Sequence, residues 1–131
     1  MPHFRDYFVY HSPGENGGVL VDTYLGDQFP EQCATREFIA DARKCLHDDG
    51  VLGINWMGGD SQKRDDLTKK LESIVGQVWQ SPGVKTSNVL YFATPRTVTN
   101  SEIVSAATTI NAEVSFENSL KHIIHRIRNL K

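Results

Sequence analysis

The sequence predicts a single α/β domain in which parallel strands and an antiparallel edge hairpin form one sheet, with helices on both faces. Short apolar runs bounded by turn residues alternate with stretches of helical periodicity along the 131 residues. Strands that alternate with helices pair in parallel through right-handed crossovers. The runs at 77–82 and 87–95 have only a short Gly-containing link between them, which indicates a hairpin. The expected result is a small layered sandwich of about four strands.

Residues 1–17 are expected to form an N-terminal arm or a short helix, and the first strand lies at 18–24. The run GVLVDTY has Val and Leu between turn residues, which suits a strand buried on both faces. After a loop, Thr35 is expected to cap the first helix, because its side chain can accept a hydrogen bond from the first turn. Gly50 is predicted to end this helix in the left-handed conformation.

A second buried strand is predicted at 50–57, followed by a helix that Asp60 or Ser61 caps and Gly76 closes. Beyond the hairpin, 99–111 and 115–131 have helical periodicity. One domain therefore covers 1–131, divided into the arm at 1–17, a core at 18–95 and C-terminal helices at 96–131.

The amino-acid composition is ordinary for a soluble globular protein and argues against several classes of protein. Hydrophobic residues make up 39% of the chain, and the net charge of −2 gives no global case for binding nucleic acid or an anionic membrane. No apolar run could span a bilayer, and no signal peptide is visible. Cys33 and Cys45 are too few for a disulfide scaffold, so we expect reduced thiols that fill space in a cytoplasmic protein.

The last predicted helix is locally basic and carries His122 and His125 three residues apart. A basic amphipathic helix can bind a membrane surface or nucleic acid. The favoured interpretation is that its apolar face packs on the sheet, while its cations suit the negative end of the helix. The two histidines are expected on its polar face, so no metal site is predicted.

A candidate site is predicted where the first two strands end, because ligands of open α/β sheets bind at the carboxyl ends of strands. The loop after the first strand carries Asp22, Tyr24 and Asp27, and the loop after the second carries Asn55, Trp56 and Asp60. Carboxylates supply negative charge and aromatic rings supply cation–π faces, so this rim suits a cationic, amine-bearing ligand. A carboxylate there can also accept a proton from an amine.

Each of these residues also has a structural interpretation, which stays open at this point. Asp22 can bond loop amides, as in an Asx turn, and Asp60 can simply cap the next helix. Tyr24 and Trp56 can serve as packing residues, and Asp27 can be solvated.

Several motifs between 18 and 95 resemble one family. They are Val21-Asp22 with Tyr24, Gly26-Asp27 to Pro30-Glu31, Thr35-Arg36-Glu37-Phe38, Asp48-Asp49-Gly50-Val51-Leu52, and Asn88-Val89-Leu90-Tyr91-Phe92-Ala93. In these motifs the chain is similar to the second half of spermidine-synthase-like proteins, Rossmann-type enzymes related to S-adenosylmethionine-dependent methyltransferases. The resemblance implies a partial Rossmann-type three-layer sandwich.

The resemblance also implies roles for particular residues. Asp22 matches the base that acts on the amine substrate of aminopropyltransferases. The family's second acid, three residues later, is Leu25 in this chain, and the nearest acid is Asp27. This departure fits a looser spermidine-synthase-like group with a small polyamine-like ligand better than it fits strict putrescine binding.

The resemblance implies S-adenosylmethionine or its decarboxylated form as the donor, if an upstream half supplies the Gly-rich turn that binds it. This sequence has no G-x-G-x-x-G turn after a strand. We therefore expect a transferase-fold domain that is inactive alone, with a homodimer partner or a missing N-terminal half covering the exposed sheet edge. The alternative is a non-catalytic association domain that binds itself or another chain.

Overall fold

The structure is a computed structural model that describes residues 16–82, 88–113 and 128–129. Its elements, in chain order, are β1 (Asn16–Val21), α1 (Arg36–Lys44), β2 (Leu46–Trp56), α2 (Ser61–Ile74), β3 (Gln77–Pro82), β4 (Val89–Thr94), α3 (Asn100–Glu113) and β5 (Arg128–Asn129). A short 3-10 helix, Glu31–Ala34, precedes α1. None of the helices in these ranges has both the length and the apolar character needed to cross a membrane.

The strands form one mixed sheet in the order β1-β2-β4-β3-β5. β1 and β2 are parallel, with Val21 opposite Ile54. β2–β4, β3–β4 and β3–β5 are antiparallel. The predicted α/β fold, with a parallel crossover through α1 and a β3–β4 hairpin, is therefore confirmed.

Alternate residues of the strands point to one side of the sheet, where α1 and α2 cover them. We call this side the helix face, and its buried strand residues are Val19, Val21, Leu52, Ile54, Trp56, Val78, Val89, Tyr91 and Ala93. The helices contribute apolar residues at helical spacing, namely Phe38, Ile39, Ala42, Leu67 and Leu71. This is the core that the periodicity of the two helices predicts.

We call the opposite side the Leu20 face, and it carries Leu20, Gly53, Leu90, Phe92 and Trp79. One row crosses four strands, because Leu20 pairs with Gly53, Gly53 with Phe92, and Phe92 with Trp79. The side chain of Leu20 remains 70% exposed and that of Leu90 40%. α3 approaches this face through Ile103, which borders an apolar groove of about 240 Å³.

The predicted capping residues begin both core helices. The Thr35 hydroxyl accepts a hydrogen bond from the Phe38 amide at 3.2 Å. The Asp60 carboxylate accepts one from the Lys63 amide at 3.1 Å. These bonds satisfy amides that have no partner within the helix, so the local sequence decides where each helix begins.

The predicted end of the first helix is wrong. α1 ends at Lys44, and Gly50 is a buried residue inside β2, outside the positive-φ region that a left-handed stop requires. Leu46 already pairs with Asn16 of β1 and is 2% exposed, so the chain turns into the sheet before the Asp-Asp-Gly sequence. Burial of Leu46 and strand pairing override the local turn signal.

Near the C-terminus, α3 confirms the helix predicted at 99–111. The helix predicted at 115–131 lies mostly outside the described residues, as do His122 and His125. Its described residues, Arg128 and Asn129, form β5 and pair with β3, so the helix prediction is wrong there. Ladder hydrogen bonds with the sheet edge replace helical ones at these two residues. Most of the predicted arm at 1–17 also lies outside the described residues.

Candidate functional site

Three polar residues form a row at one end of the Leu20 face. Asp22 directly follows β1, Asn55 is the second-last residue of β2, and Asn88 directly precedes β4. They come together because parallel β1 and β2 end at the same edge, where antiparallel β4 begins. We call these three residues the polar row.

Two hydrogen bonds link the polar row. The Asn55 Nδ2 donates to Asp22 Oδ1 at 3.0 Å, and the Asn88 Nδ2 donates to Asn55 Oδ1 at 3.2 Å. Asp22 is exposed, whereas both asparagines are half-buried. Within the described part of the chain, Asp22 Oδ2 makes no further hydrogen bond, so it faces solvent as a free acceptor.

The loop after Asp22 holds Tyr24 and Leu25 at the surface. Their side chains are each 63% exposed. The Leu25 amide donates to the Gln28 carbonyl at 2.8 Å, and the Gln28 amide donates back to the Leu25 carbonyl at 3.1 Å. Asp27 lies in this tight turn and accepts a weak hydrogen bond from the Gln28 side chain at 3.5 Å. Thus Tyr24 and Asp27 belong to the same exposed loop as Asp22.

Thr23 anchors this loop from inside. Its hydroxyl donates to the Cys33 sulfur at 3.4 Å. Burial raises the pKa of the Cys33 thiol, and the hydrogen bond from Thr23 only partly opposes that shift. Cys33 is therefore a neutral packing residue, as the sequence predicts, and it ties the residue after Asp22 to the 3-10 helix.

Trp56 lies on the helix face, away from the polar row. Its ring stacks on Phe29 with centroids 4.9 Å apart, and its indole nitrogen donates to the Gly58 carbonyl at 3.2 Å. Gly58 has φ 107°, and a Cβ there would lie 2.4 Å from Gln28 Oε1. The Phe29 amide also donates to the Met57 carbonyl at 3.1 Å. Trp56, which is 4% exposed, thus joins the two loops.

Asp60 is exposed and holds the first turn of α2 through its capping bond. Nearby, the Lys63 ammonium pairs with the Glu31 carboxylate at 2.7 Å. This contact lowers the pKa of Glu31 and raises that of Lys63. The structure therefore groups Asp60 with the α2 terminus, whereas Asp22 is grouped with Asn55 and Asn88.

From the sequence, Asn55 is expected in a loop of the candidate site, whereas Asn88 is noted only as the first residue of a family-like motif and not as a site residue. A signal exists for Asn55, because it interrupts the apolar strand run GVLGINW at a position facing away from the core. Asn88 gives no comparable signal, since its proximity to Asp22 depends on β4 pairing directly with β2.

Comparisons with known proteins identify relatives over part of their length. No family model matches the sequence. The polyamine aminopropyltransferase of Chromobacterium violaceum is 29% identical over 80 residues, which are 61% of this chain and 31% of that protein. The polyamine aminopropyltransferase of Neisseria meningitidis serogroup A is 29% identical over 75 residues, which are 57% of this chain and 28% of that protein.

Among solved structures, a probable spermidine synthase from Corynebacterium glutamicum has a similar fold. Its TM-score is 0.61 at 14% identity, and the match covers 88% of this chain and 44% of that chain. The chain is therefore spermidine-synthase-like in sequence and fold, and it spans less than a third of the length of the two curated relatives described above. The predicted partial Rossmann-like fold is confirmed.

Proposed function

We propose that this chain supplies the amine-binding side of a spermidine-synthase-like transferase site, in which Asp22 holds the amine and accepts its proton. One observation carries the proposal: Asp22 stands at the carboxyl end of β1, with Oδ1 held by Asn55 and no further bond to Oδ2 within the described residues. The relatives are polyamine aminopropyltransferases by name, which supports a polyamine-like ligand.

The chemistry assigned to Asp22 is that of a carboxylate facing an ammonium group. A charge-assisted hydrogen bond from the ammonium to Oδ2 fixes the nitrogen near the sheet edge. Transfer of one proton from nitrogen to Oδ2 leaves a lone pair on the amine, which is then nucleophilic. Tyr24 offers a ring face to the cation, and Asp27 adds a second negative charge on the same loop.

The residues present do not fit a nucleoside donor. The loops after β1 and β2 contain no G-x-G-x-x-G turn, and Gly58 with Gly59 is too short to replace one. No step involving S-adenosylmethionine or its decarboxylated form is therefore assigned to these residues. We propose that the chain binds amines but transfers no group by itself.

Calorimetric titration of the chain with putrescine tests the amine site. Asp22→Asn should weaken binding about 10- to 100-fold, since it removes the charge from the hydrogen bond. Asp27→Asn is the matched control, because it makes the same chemical change on the same loop, and it should weaken binding only about 2-fold. Equal affinity of wild type and Asp22→Asn would overturn the role of Asp22.

The same titration with S-adenosylmethionine, its decarboxylated form and methylthioadenosine tests the second part of the proposal. We expect no heat of binding from any of the three nucleosides. Tight binding of one of them would overturn the claim that the chain alone has no donor site.

A second candidate function is non-catalytic association of two copies of the chain. The exposed apolar side chains of Leu20, Val51 and Leu90 favour it, because apolar patches on a sheet face mark interaction surfaces. A dimeric mass in solution that Leu20→Lys converts to a monomeric mass would support it. A monomeric mass for the wild type across the accessible concentrations would contradict it.

A further inference from the structure

We infer that Asn55 and Asn88 are positioning residues for Asp22, with Asn88 fixing the Asn55 side-chain amide so that its NH2 group faces the carboxylate. This inference rests on the proposed function for the amine-holding role of Asp22. The hydrogen-bond order itself, Asn88 to Asn55 to Asp22, stands on the two observed distances of 3.2 Å and 3.0 Å.

An asparagine amide has two ends of nearly equal size, so packing alone does not select its orientation. The oxygen end accepts hydrogen bonds and the nitrogen end donates them. If the Asn55 amide rotated by half a turn, its oxygen would face Asp22 Oδ1, and two acceptors would repel each other. The same rotation would also turn the Asn55 NH2 group toward the Asn88 Nδ2 donor and break the observed bond between Asn88 Nδ2 and Asn55 Oδ1, so Asn88 disfavours it.

The two bonds also lead from half-buried residues in and beside the sheet to an exposed side chain. Asn55 pairs with Leu90 in the ladder between β2 and β4, and Asn88 immediately precedes β4. Asp22 lies one residue beyond β1 and is exposed. Two half-buried amides, one on β2 and one just before β4, therefore restrict the rotamer of an exposed carboxylate, as supporting hydrogen bonds do at preorganised sites.

The bond from Asn55 also makes the two carboxylate oxygens of Asp22 unequal toward a ligand. Because Asn55 takes one lone pair of Oδ1, Oδ2 is the oxygen that has both lone pairs available to an ammonium group in this arrangement. A freely rotating Asp22 would present either oxygen and would lose rotamer freedom when it binds an amine. Positioning removes that cost before the ligand arrives.

Side-chain amide signals in proton–nitrogen NMR spectra test the hydrogen-bond order without any ligand. In wild type, the Asn55 side-chain amide shift should follow the ionisation of Asp22, and Asp22→Asn should abolish that pH-dependent change. Asn88→Ala should reduce the change by half or more, since the Asn55 amide becomes free to rotate. Asn100→Ala, a change of the same type at the exposed start of α3, should leave it unaltered.

Putrescine affinity then tests the consequence for binding. Asn88→Ala should weaken binding about 2- to 10-fold although it does not touch the ligand, and Asn100→Ala should leave the affinity unchanged. Backbone spectra establish that each variant is folded, and Asn88→Leu, which keeps the size of the side chain, replaces the alanine variant if that one unfolds.

The outcomes separate this inference from the proposed function. If wild type binds no putrescine, the amine role fails, and the inferred hydrogen-bond order is judged on the NMR titration alone. The inferred hydrogen-bond order is overturned if the pH-dependent change of the Asn55 amide shift persists in Asp22→Asn. It is also overturned if that change is the same in Asn88→Ala as in wild type. If wild type does bind, equal affinity of Asn88→Ala and Asn100→Ala overturns the positioning role.

Discussion

The two faces of the sheet differ in what covers them, although they are made by alternate residues of the same strands. On the helix face, Val21 and Leu52 are each 1% exposed beneath α1 and α2. On the opposite face, Leu20 is 70% exposed, and the polar row lies at one end of that face. The comparison indicates that the helix face holds the fold together, while the Leu20 face retains surface that can contact ligands.

The largest expected difference comes from the same substitution made on both faces. Leu52→Ala should lower the free energy of unfolding by about 2–5 kcal/mol, because it leaves a cavity in a packed core. Leu20→Ala should change it by about 0.5 kcal/mol or less, because most of the side chain is already in water. Urea unfolding of both variants measures the difference. If both variants lost the same free energy of unfolding, Leu20 would be buried in solution, which would favour association of two copies of the chain.

Two glycine-to-alanine substitutions compare how much added side-chain volume costs near α2 and on the Leu20 face. Gly76 follows α2 with φ 148°, and a Cβ there would lie 2.5 Å from the Thr94 carbonyl oxygen. Gly76→Ala should therefore cost about 1–3 kcal/mol of unfolding free energy.

Gly53→Ala is the matched change on the Leu20 face. A Cβ at Gly53 would lie 2.7 Å from Leu20 Cδ2, which is the end of an exposed, flexible side chain. Because that end can rotate away, Gly53→Ala should cost about 1 kcal/mol or less. Thermal or urea unfolding checks both values, and a larger loss for Gly53→Ala than for Gly76→Ala would contradict this account.

A smaller effect is expected from adding a charge beside the polar row. Leu25 is 63% exposed in the Asp22 loop. Leu25→Asp should bind putrescine about 2- to 5-fold more tightly than Leu25→Asn, because the second ammonium gains an exposed ion pair. Butylamine, which has one ammonium, should bind both variants alike. If Leu25→Asp also bound butylamine more tightly than Leu25→Asn by the same factor, the result would argue against a site in which Asp22 and residue 25 bind different ammonium groups of one diamine.

The smallest expected effect concerns pH and the start of α3. The Thr99 amide, which donates to the Glu102 carboxylate at 2.7 Å, and the Thr99 hydroxyl together lower the pKa of Glu102. A lowered folded-state pKa stabilises the folded state at pH above the unfolded-state value, and this contribution is lost as pH falls through the folded-state pKa. The unfolding midpoints of wild type and Glu102→Gln should therefore converge in acid. A difference that grows as pH falls would contradict this assignment.

Local signals in the sequence predict the helix face and its two helices well. Thr35 and Asp60 cap helices where their side chains can reach free amides, and the apolar spacing around Leu67 and Leu71 identifies the buried stripe. These predictions succeed because each depends on residues within one or two helical turns.

Features that depend on strand pairing are harder to predict. Gly50 has the sequence context of a helix stop, yet it lies in β2, because the strand begins at Leu46, which pairs with Asn16 of β1. Asn88 is 33 residues from Asn55, and only the pairing of β4 with β2 brings them together. The positions of the Asp22 carboxylate and of Asn55 near the strand ends are thus predictable from the sequence, whereas the contact of Asn88 with Asn55 is not.

The most direct test of the central claim is a map of backbone and side-chain NMR shifts as putrescine is added to the wild-type chain. We expect the largest shift changes at Asp22 and at the side-chain amides of Asn55 and Asn88, with none at Glu31 or Lys63 beyond those that added salt produces. Changes centred on Glu31 and Lys63, with the polar row unmoved, would contradict it and would move amine binding to the start of α2.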